Sequence, residues 1–392
     1  MKSNESYILW LPSWYPNKLE PYNGDFIQRH AKAASLFDNI HVIHVVKDSV
    51  GQITKTIKSE TNKKERLTET IIYYYVPPQK FSLLHRFQSL KKYLILYHQS
   101  IRQLIKANGK PRLIHLYIAF KAGLAALFAY YSYKIPYVIS EQWTIYLDEA
   151  KPNYLNLPFY NRALMKKIFN RALSVMVVSE FLGKALQNHF PISKPVLIPN
   201  VVDENIFNYQ KKELSNLCRF VHISNLNYQK NIEDIIKAFS MLKERGYNFR
   251  LDIIGPDQKE LKSMVESLEL KDQIYFHKEM PQKELAEYIQ GSDALLLYSR
   301  YETFGCVVIE ANACGVPVIA SDIPVLHENI KEGINGIFAT GSNPADLAKK
   351  IRYVMDNKEL FNAQGISENA LQKYNYANAG LLFHNWYGQY AG

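Results

Sequence analysis

Glu302 and Glu310 stand with seven residues between them, and the segment they bracket carries Phe304-Gly305. A carboxylate can accept two hydroxyl hydrogen bonds at once, which suits the vicinal diols of a sugar or a ribose. A helix fits over 304–314, with Gly315 supplying the left-handed residue that ends it. The backbone N–H groups of Gly305, Cys306 and Val307 would then open that helix, and a helix N-terminus offers donors and a favourable dipole to an anion. Acid, amide cluster, acid reads as hydroxyl, phosphate, hydroxyl: a sugar, a diphosphate and a ribose. A plainer reading stays open on spacing alone. Ser299 and Glu302 fit a capping box, and Glu310 fits a helix-surface acid, although its neighbours Ile309 and Ala311 are apolar.

The elements that must position these groups follow the same logic. An apolar run at 293–298 reads as a buried strand before the helix, and 317–320 as the strand after it. Strand and helix alternate along the rest of the chain. Strands are expected at 7–11, 40–46, 70–76, 113–119, 137–140, 174–179, 220–224, 250–255, 273–277 and 336–340. Helices are expected at 26–36, 83–105, 123–131, from 180, at 232–242, 285–290, 344–355 and 367–373, with an aromatic helical tail to 390. The polar stretch 47–66 reads as an exposed loop or hairpin. This alternation defines an α/β chain with parallel, doubly wound sheets, and 392 residues are enough for two cores. No internal repeat of solenoid length is present.

Composition narrows the setting. The chain is 47% hydrophobic and 21% charged, as in ordinary globular proteins. Cys218, Cys306 and Cys314 show neither paired nor metal-ligand spacing, which points to a reducing, cytoplasmic environment and away from a zinc site. Lys2 and Glu5 precede a strand-like run, not a secretory leader. The stretch 113–133 is too polar for a membrane span. Charge is unevenly placed. Residues 70–140 hold no Asp or Glu but carry Lys80, Arg86, Lys91, Lys92, Arg102, Lys106, Lys110, Arg112, Lys121 and Lys134, which together equal the net charge of +10. Such a segment implies an anionic partner, a membrane surface or a lipid diphosphate among them. Within it, 83–105 is a basic amphipathic helix, either core-facing with a solvated basic side or an interfacial membrane contact. No stacking-aromatic pattern accompanies the charges, so nucleic acid is not expected.

Glu302-x7-Glu310 with Phe304-Gly305, followed by Ala313-Cys314-Gly315-Val316-Pro317-Val318, resembles the signature of the family 4 retaining glycosyltransferases of the GT-B fold. The resemblance spans nearly the whole chain and is strongest over 195–341. It implies two Rossmann-like domains facing across a cleft: an acceptor-binding domain over 1–200, a linker over 201–216, a nucleotide-sugar domain over 217–373, and a final helix over 374–392 that crosses back. It implies a UDP- or GDP-sugar donor, a glycan or lipid-linked acceptor, and no cofactor. Lys230 matches a lysine that holds the leaving diphosphate, whereas Asn225 stands where the family has an arginine and Gln142 where it has a histidine. Gly24, at the end of the first loop, and Gly255, at a strand end, match positions near the donor. Glu302 is implied to hold sugar hydroxyls, Gly305, Cys306 and Val307 the diphosphate, and Glu310 the ribose, with Phe304 among the donor-binding residues. Lys230, Glu302 and Gln142 are the expected catalytic residues.

Transfer with retention then passes through an oxocarbenium-like transition state. Lys230 and the amides after Gly305 would stabilise the departing phosphate, and domain closure would exclude water. No Asp-x-Asp is present, so no metal site is expected. Assembly of surface glycans on the cytoplasmic leaflet is the expected setting, with possible peripheral attachment through 70–140. Two rivals remain at this point: a GT-B sugar-nucleotide epimerase or phosphorylase, and a basic membrane- or polyanion-binding module without catalysis.

Overall fold

In a computed structural model, residues 6–77, 82–212, 215 and 217–390 are described. Lys80 and residues 213, 214 and 216 of the expected linker lie outside them. The chain divides into two compact units. The first comprises residues 1–146, 154–200 and 376–392, and the second residues 147–153 and 201–375.

The first unit is built on strands β1 (Tyr7–Pro12), β2 (Asn39–Lys47), β3 (Ile57–Lys64), β4 (Leu67–Tyr74), β5 (Leu113–Tyr117), β6 (Tyr137–Glu141), β7 (Val175–Val177) and β8 (Val196–Leu197). They form one sheet in the order β3-β4-β2-β1-β5-β6-β7-β8. All pairs are parallel except β3 with β4. The polar stretch after β2 therefore resolves into the hairpin alternative, with an exposed edge strand rich in lysine, a composition that discourages further pairing. Every residue of β1 and β5 is buried, as a central parallel strand requires.

Helices α1 (Asp25–Ala34), α2 (Ser82–Asn108), α3 (Ala122–Tyr133), α4 (Phe159–Phe169) and α5 (Glu180–His189) cover the sheet. The apolar residues at helical spacing along α2, among them Phe87, Leu90, Tyr97 and Ile101, lead one to expect a single buried stripe; instead Tyr93, Leu96, Tyr97 and Ile101 face the core, while Phe87 and Leu90 are exposed. Helix α4 was not expected at all. Its apolar contacts, Met165, Ile168 and Phe169, are confined to its C-terminal end, and Phe159 and Tyr160 at its start are exposed, so no stripe marks it in the sequence. The C-terminal helix (Tyr376–Gly388) packs on this same unit. Its Tyr387 hydroxyl meets His115 Nδ1 at 2.6 Å, and Trp386 Nε1 donates to Ser174 Oγ at 3.1 Å.

The second unit alternates strand and helix: β9 (Cys218–Ile223), α6 (Ile232–Glu244), β10 (Phe249–Ile254), α7 (Lys259–Ser267), β11 (Ile274–His277), α8 (Gln282–Gln290), β12 (Ala294–Leu297), α9 (Cys306–Ala313), β13 (Val318–Ser321), β14 (Gly336–Ala339), α10 (Pro344–Asp356) and α11 (Ala363–Tyr374). The all-parallel sheet runs β11-β10-β9-β12-β13-β14. Strand order reverses between β9 and β12 here and between β1 and β5 in the first unit. Successive connections leave in opposite directions at these points, opening a crevice at the strand ends where ligands of such sheets bind.

Candidate active site

In the second unit, the loops that leave β9 and β12 are fastened together at the reversal point. Arg300 N–H donates to the Gln229 carbonyl at 2.7 Å, and Gln229 Nε2 returns a bond to the Tyr301 carbonyl at 2.9 Å. The Arg300 guanidinium lies 4.2 Å from the Tyr228 ring centre and also donates to the Tyr228 carbonyl. This double attachment sets Lys230 against Glu302, whose carboxylate takes the Lys230 ammonium and, at 2.8 Å, the Ser299 hydroxyl. The pair is largely buried, with 17% of the Lys230 side chain and 6% of the Glu302 side chain exposed. The resemblance implied that these residues grip separate parts of a donor; here they grip each other.

Helix α9 begins at Cys306, so Ser299 and Glu302 form no capping box. The N-cap is Gly305, at φ 83° and without a side-chain cap. A Cβ at Gly305 would come within 3.1 Å of both Leu297 and Leu326 side chains, so glycine is required there by conformation and by space. Glu310 is buried in the body of α9, which removes the surface-acid alternative. Cys306 and Val307 are partly exposed in the first turn.

The neighbouring residues sort differently. His222 is buried; its Nδ1–H donates to the Leu296 carbonyl at 2.9 Å. Its Nε2 therefore accepts the Ser224 hydroxyl at 2.8 Å, and Ser224 Oγ accepts the Leu226 N–H. Burial pushes His222 down to about 4, so it stays neutral and fixes the start of the Lys230 loop. Asn225 is exposed on that loop. Gly255 is taken up by packing: a Cβ would collide with the Ser224 carbonyl, and its N–H is bonded to the His277 carbonyl at 3.1 Å. Phe304, expected among the donor-binding residues, is buried edge-on to Tyr374, and its carbonyl accepts Asn329 Nδ2 at 2.9 Å.

In the first unit, Gly24 caps α1 at φ 76°, and a Cβ there would come within 2.7 Å of the Trp14 backbone. Gln142, expected to face the sugar, is spent internally. Its Nε2 donates to Tyr117 Oη at 2.5 Å and to Asn200 Oδ1 at 2.9 Å, and its carbonyl accepts Asn200 Nδ2 at 2.9 Å. Tyr117 in turn donates to His30 Nδ1 at 2.6 Å, and His30 Nε2–H donates to the Pro199 carbonyl at 2.9 Å. With both amide hydrogens and the carbonyl engaged, Gln142 anchors the 199–200 segment. Glu141 beside it is a group the sequence reading passed over. It accepts the Ala119 N–H at 2.7 Å and the Tyr146 hydroxyl at 2.8 Å, and burial raises its carboxyl to about 7. Its signal was an acid at the very end of a buried strand.

Among the described residues, no group of three or more His, Cys, Asp or Glu side chains could hold a metal ion, and no helix is long and apolar enough to cross a membrane.

Comparison with known proteins now bears on this geometry. The model of glycosyl transferases group 1 matches residues 203–373, and that of Glycosyltransferase Family 4 matches 59–206. The O-antigen chain mannosyltransferase RfbU of Salmonella typhimurium is 30% identical over 250 residues, covering 62% of this chain and 68% of that protein. Among solved structures, a sucrose-phosphate synthase from Thermosynechococcus elongatus superposes with a TM-score of 0.77 at 16% identity, over 98% of each chain. HepE from Anabaena, solved in complex with UDP-glucose, superposes with a TM-score of 0.72 at 17% identity, over 98% of this chain and 100% of that one. The fold is thus that of the GT-B glycosyltransferases. The chain belongs to glycosyltransferase family 4.

Two measurements check the site's construction. Replacing Glu302 by Gln leaves the Lys230 charge without its partner and should destabilise the protein by about 2 kcal/mol in urea unfolding. Adding Lys230→Met should restore most of that loss; additive losses would show that the two side chains are not coupled. Glu141 sets a pH dependence. Its folded-state value lies above the ordinary 4.5, so between pH 4.5 and 7 the folded chain keeps a proton that the unfolded chain releases. Stability should therefore fall across that window as pH rises, by about 3 kcal/mol in all, and stay level above it. In Glu141→Gln this slope should disappear; parallel profiles for the two proteins would exclude a protonated Glu141.

Proposed function

We propose that this chain transfers a sugar from a nucleotide-diphosphate sugar to a glycan or lipid-linked acceptor in surface-polysaccharide assembly, with retention of anomeric configuration. The observation that carries the reading is the Lys230–Glu302 pair beside the glycine-capped start of α9, with Glu310 buried in the same helix. HepE was solved with UDP-glucose, which supports a UDP-sugar donor over GDP, and RfbU is an O-antigen chain mannosyltransferase, which supports the pathway.

The roles follow from charge and geometry. As the glycosidic bond to the donor phosphate lengthens, negative charge grows on the leaving diphosphate and positive charge on the sugar ring. The Lys230 ammonium has three donors and gives one to Glu302, so it can turn others to phosphate without leaving its partner. The α9 N-terminus at Cys306 and Val307 faces the same charge with its dipole. Loss of one such contact typically raises the barrier by about 3–4 kcal/mol. Glu302 keeps lone pairs for sugar hydroxyls, and Glu310 takes the ribose diol. With Gln142 committed to Asn200, the departing phosphate itself is the acceptor for the nucleophile's proton.

The test is calorimetry with UDP and GDP on wild type and Glu310→Ala. UDP should bind wild type, and the alanine variant should bind it at least about tenfold more weakly, the size expected for a lost charge-assisted pair. Equal affinity would remove the ribose assignment.

We further propose that the first unit lies against an anionic membrane surface. Helices α2, α3 and α4 contain no acidic residue, yet carry Arg86, Lys91, Lys92, Arg102, Lys106, Arg162, Lys166 and Lys167. They expose Phe87, Ile95, Phe128, Phe159 and Tyr160. Basic charge with protruding aromatics is the composition that seats a surface in the headgroup layer. Cosedimentation with phosphatidylglycerol vesicles should be strong at low salt and weak in 0.5 M salt (~4 Å screening length). Lys166→Glu with Lys167→Glu should reduce it; equal pelleting with neutral phosphatidylcholine vesicles would rule out the charge-based contact.

A further inference from the structure

The donor reading leaves one built cavity of the first unit unused. The loop after β1, the C-terminal end of β2 and the beginning of α2 enclose about 600 Å³, lined in part by Trp14, Glu20, His44, Lys47, Arg86 and Lys121. Three cations meet one carboxylate there. Among the described residues, none of Lys47, Arg86 and Lys121 is in an ion pair. The Lys47 ammonium donates at 2.8 Å to His85 Nε2, whose other ring nitrogen donates to the Pro77 carbonyl. Two positive charges are therefore left over, close to the charge of a phosphate monoester near neutral pH.

The backbone that presents Lys121 is strained. Lys121 sits at φ 70°, ψ −71°, and Ile118, a β-branched residue, at φ 62°. Such conformations persist only where surroundings impose them, and they gather at ligand sites. Ser13 imposes this one. Its hydroxyl lies against the Ile118 carbonyl at 2.8 Å and the Phe120 carbonyl, and accepts the Ala122 N–H at 3.1 Å. Both ends of the device sit at the β1–β5 reversal point of the sheet.

His44 supplies the second, independent sign of a ligand. It is 94% buried by its 6% exposure, and its Nδ1–H donates to the Pro12 carbonyl at 3.0 Å. That bond fixes the tautomer and leaves Nε2 as a lone pair with no partner among the described residues, on a side chain that lines the cavity. Burial keeps the ring neutral, pushing it down to about 4, so it remains an acceptor throughout the physiological range. Trp14 adds an apolar plane against which the C–H face of a ring can lie.

We propose that this cavity binds the acceptor substrate as a phosphorylated, hydroxylated ring, with Lys47, Arg86 and Lys121 holding the phosphate and His44 Nε2 receiving a ring hydroxyl. The inference rests on the transferase reading and names the class of molecule that receives the sugar. The phosphate can belong to a soluble sugar phosphate or to the diphosphate of a polyprenyl lipid; both present the same anion to the three cations.

Calorimetry on the full chain separates these cases. Glucose 1-phosphate serves as the soluble probe, farnesyl diphosphate in detergent micelles as the lipid probe, and inorganic phosphate as the probe without hydroxyls. At least one of the first two should bind wild type, and the one that does identifies the source. Arg86→Glu, a change on an exposed helix position, should weaken that binding by at least about tenfold while UDP affinity stays unchanged. His44→Asn keeps a donor for the Pro12 carbonyl but lacks Nε2. It should weaken glucose 1-phosphate and leave inorganic phosphate and farnesyl diphosphate, neither of which carries a ring hydroxyl, unaffected. If UDP binds wild type but neither phosphorylated probe does, or if Arg86→Glu changes nothing, this inference fails and the transferase reading stands. If the probes behave as expected while UDP does not bind, the cavity is a phosphate site and the donor reading is the one that fails.

Discussion

The second unit depends on how two loops are tied where its sheet changes direction. One leaves β9 and carries Lys230; the other leaves β12 and carries Glu302. Neither loop could hold a charged side chain in a largely buried position alone. An isolated buried charge is expensive, and a buried ion pair repays its desolvation only when its geometry is fixed. The fixing is done by neutral groups: the reciprocal bonds of Gln229 with Arg300 and Tyr301, and the Arg300 guanidinium on the Tyr228 ring. The neutral His222–Ser224–Leu226 relay sets the root of the first loop. Glycine at 305 completes the arrangement, because the helix starts from a left-handed residue and a side chain there would press on Leu297 and Leu326. The pair is thus a product of backbone fastening.

This explains what could be read from the sequence and what could not. The α9 region was legible because its information is local. An apolar run, a glycine, a short apolar helix and a second glycine each dictate backbone conformation within a few residues. The alternation of strand and helix was legible for the same reason, and with it the doubly wound sheets. The capping-box alternative failed through a local detail, since Ser299 bonds the Glu302 side chain and the helix starts later. The surroundings that could not be read are all set by distant partners. Gln142 is claimed by Tyr117 and Asn200, 25 and 58 residues away. Gly255 is claimed by the carbonyl of Ser224 and Phe304 by Tyr374. The rotation of α2 and the existence of α4 escaped because apolar residues on both helices point outward. A pattern that assumes every stripe is a core stripe has no way to allow for that.

Buried histidines play a consistent part in this architecture. His30, His44, His115 and His222 are all lowered by burial, so each is a neutral, directional group and not a charge. A neutral imidazole has one donor and one acceptor. Where the donor meets a carbonyl, as at Pro199, Pro12 and Leu296, the acceptor's direction is settled without further expense. In three of the four, the acceptor side then organises a hydroxyl or tyrosine within the core. His44 alone among them turns its acceptor to a cavity wall. The difference lies in surroundings, not in residue type, and for that reason a histidine count could not have separated them.

Charge is handled by segregation. The layer of α2, α3 and α4 carries no acid of its own, and among the described residues its cations are in no ion pair. Unpaired cations on a surface repel one another, and in this layer exposed aromatic and aliphatic side chains stand among them instead of acids that would neutralise them. A protein under selection for solubility alone would intersperse both signs. The same imbalance continues into the cavity lined by Lys47, Arg86 and Lys121, where Arg86 belongs to both features. If the two proposals above hold together, a surface that gathers anionic headgroups beside a cavity that takes a phosphate would raise the local concentration of a lipid-borne acceptor, and the +10 net charge would act on the rate of encounter, while the fastened loops of the second unit hold the groups proposed to receive the donor.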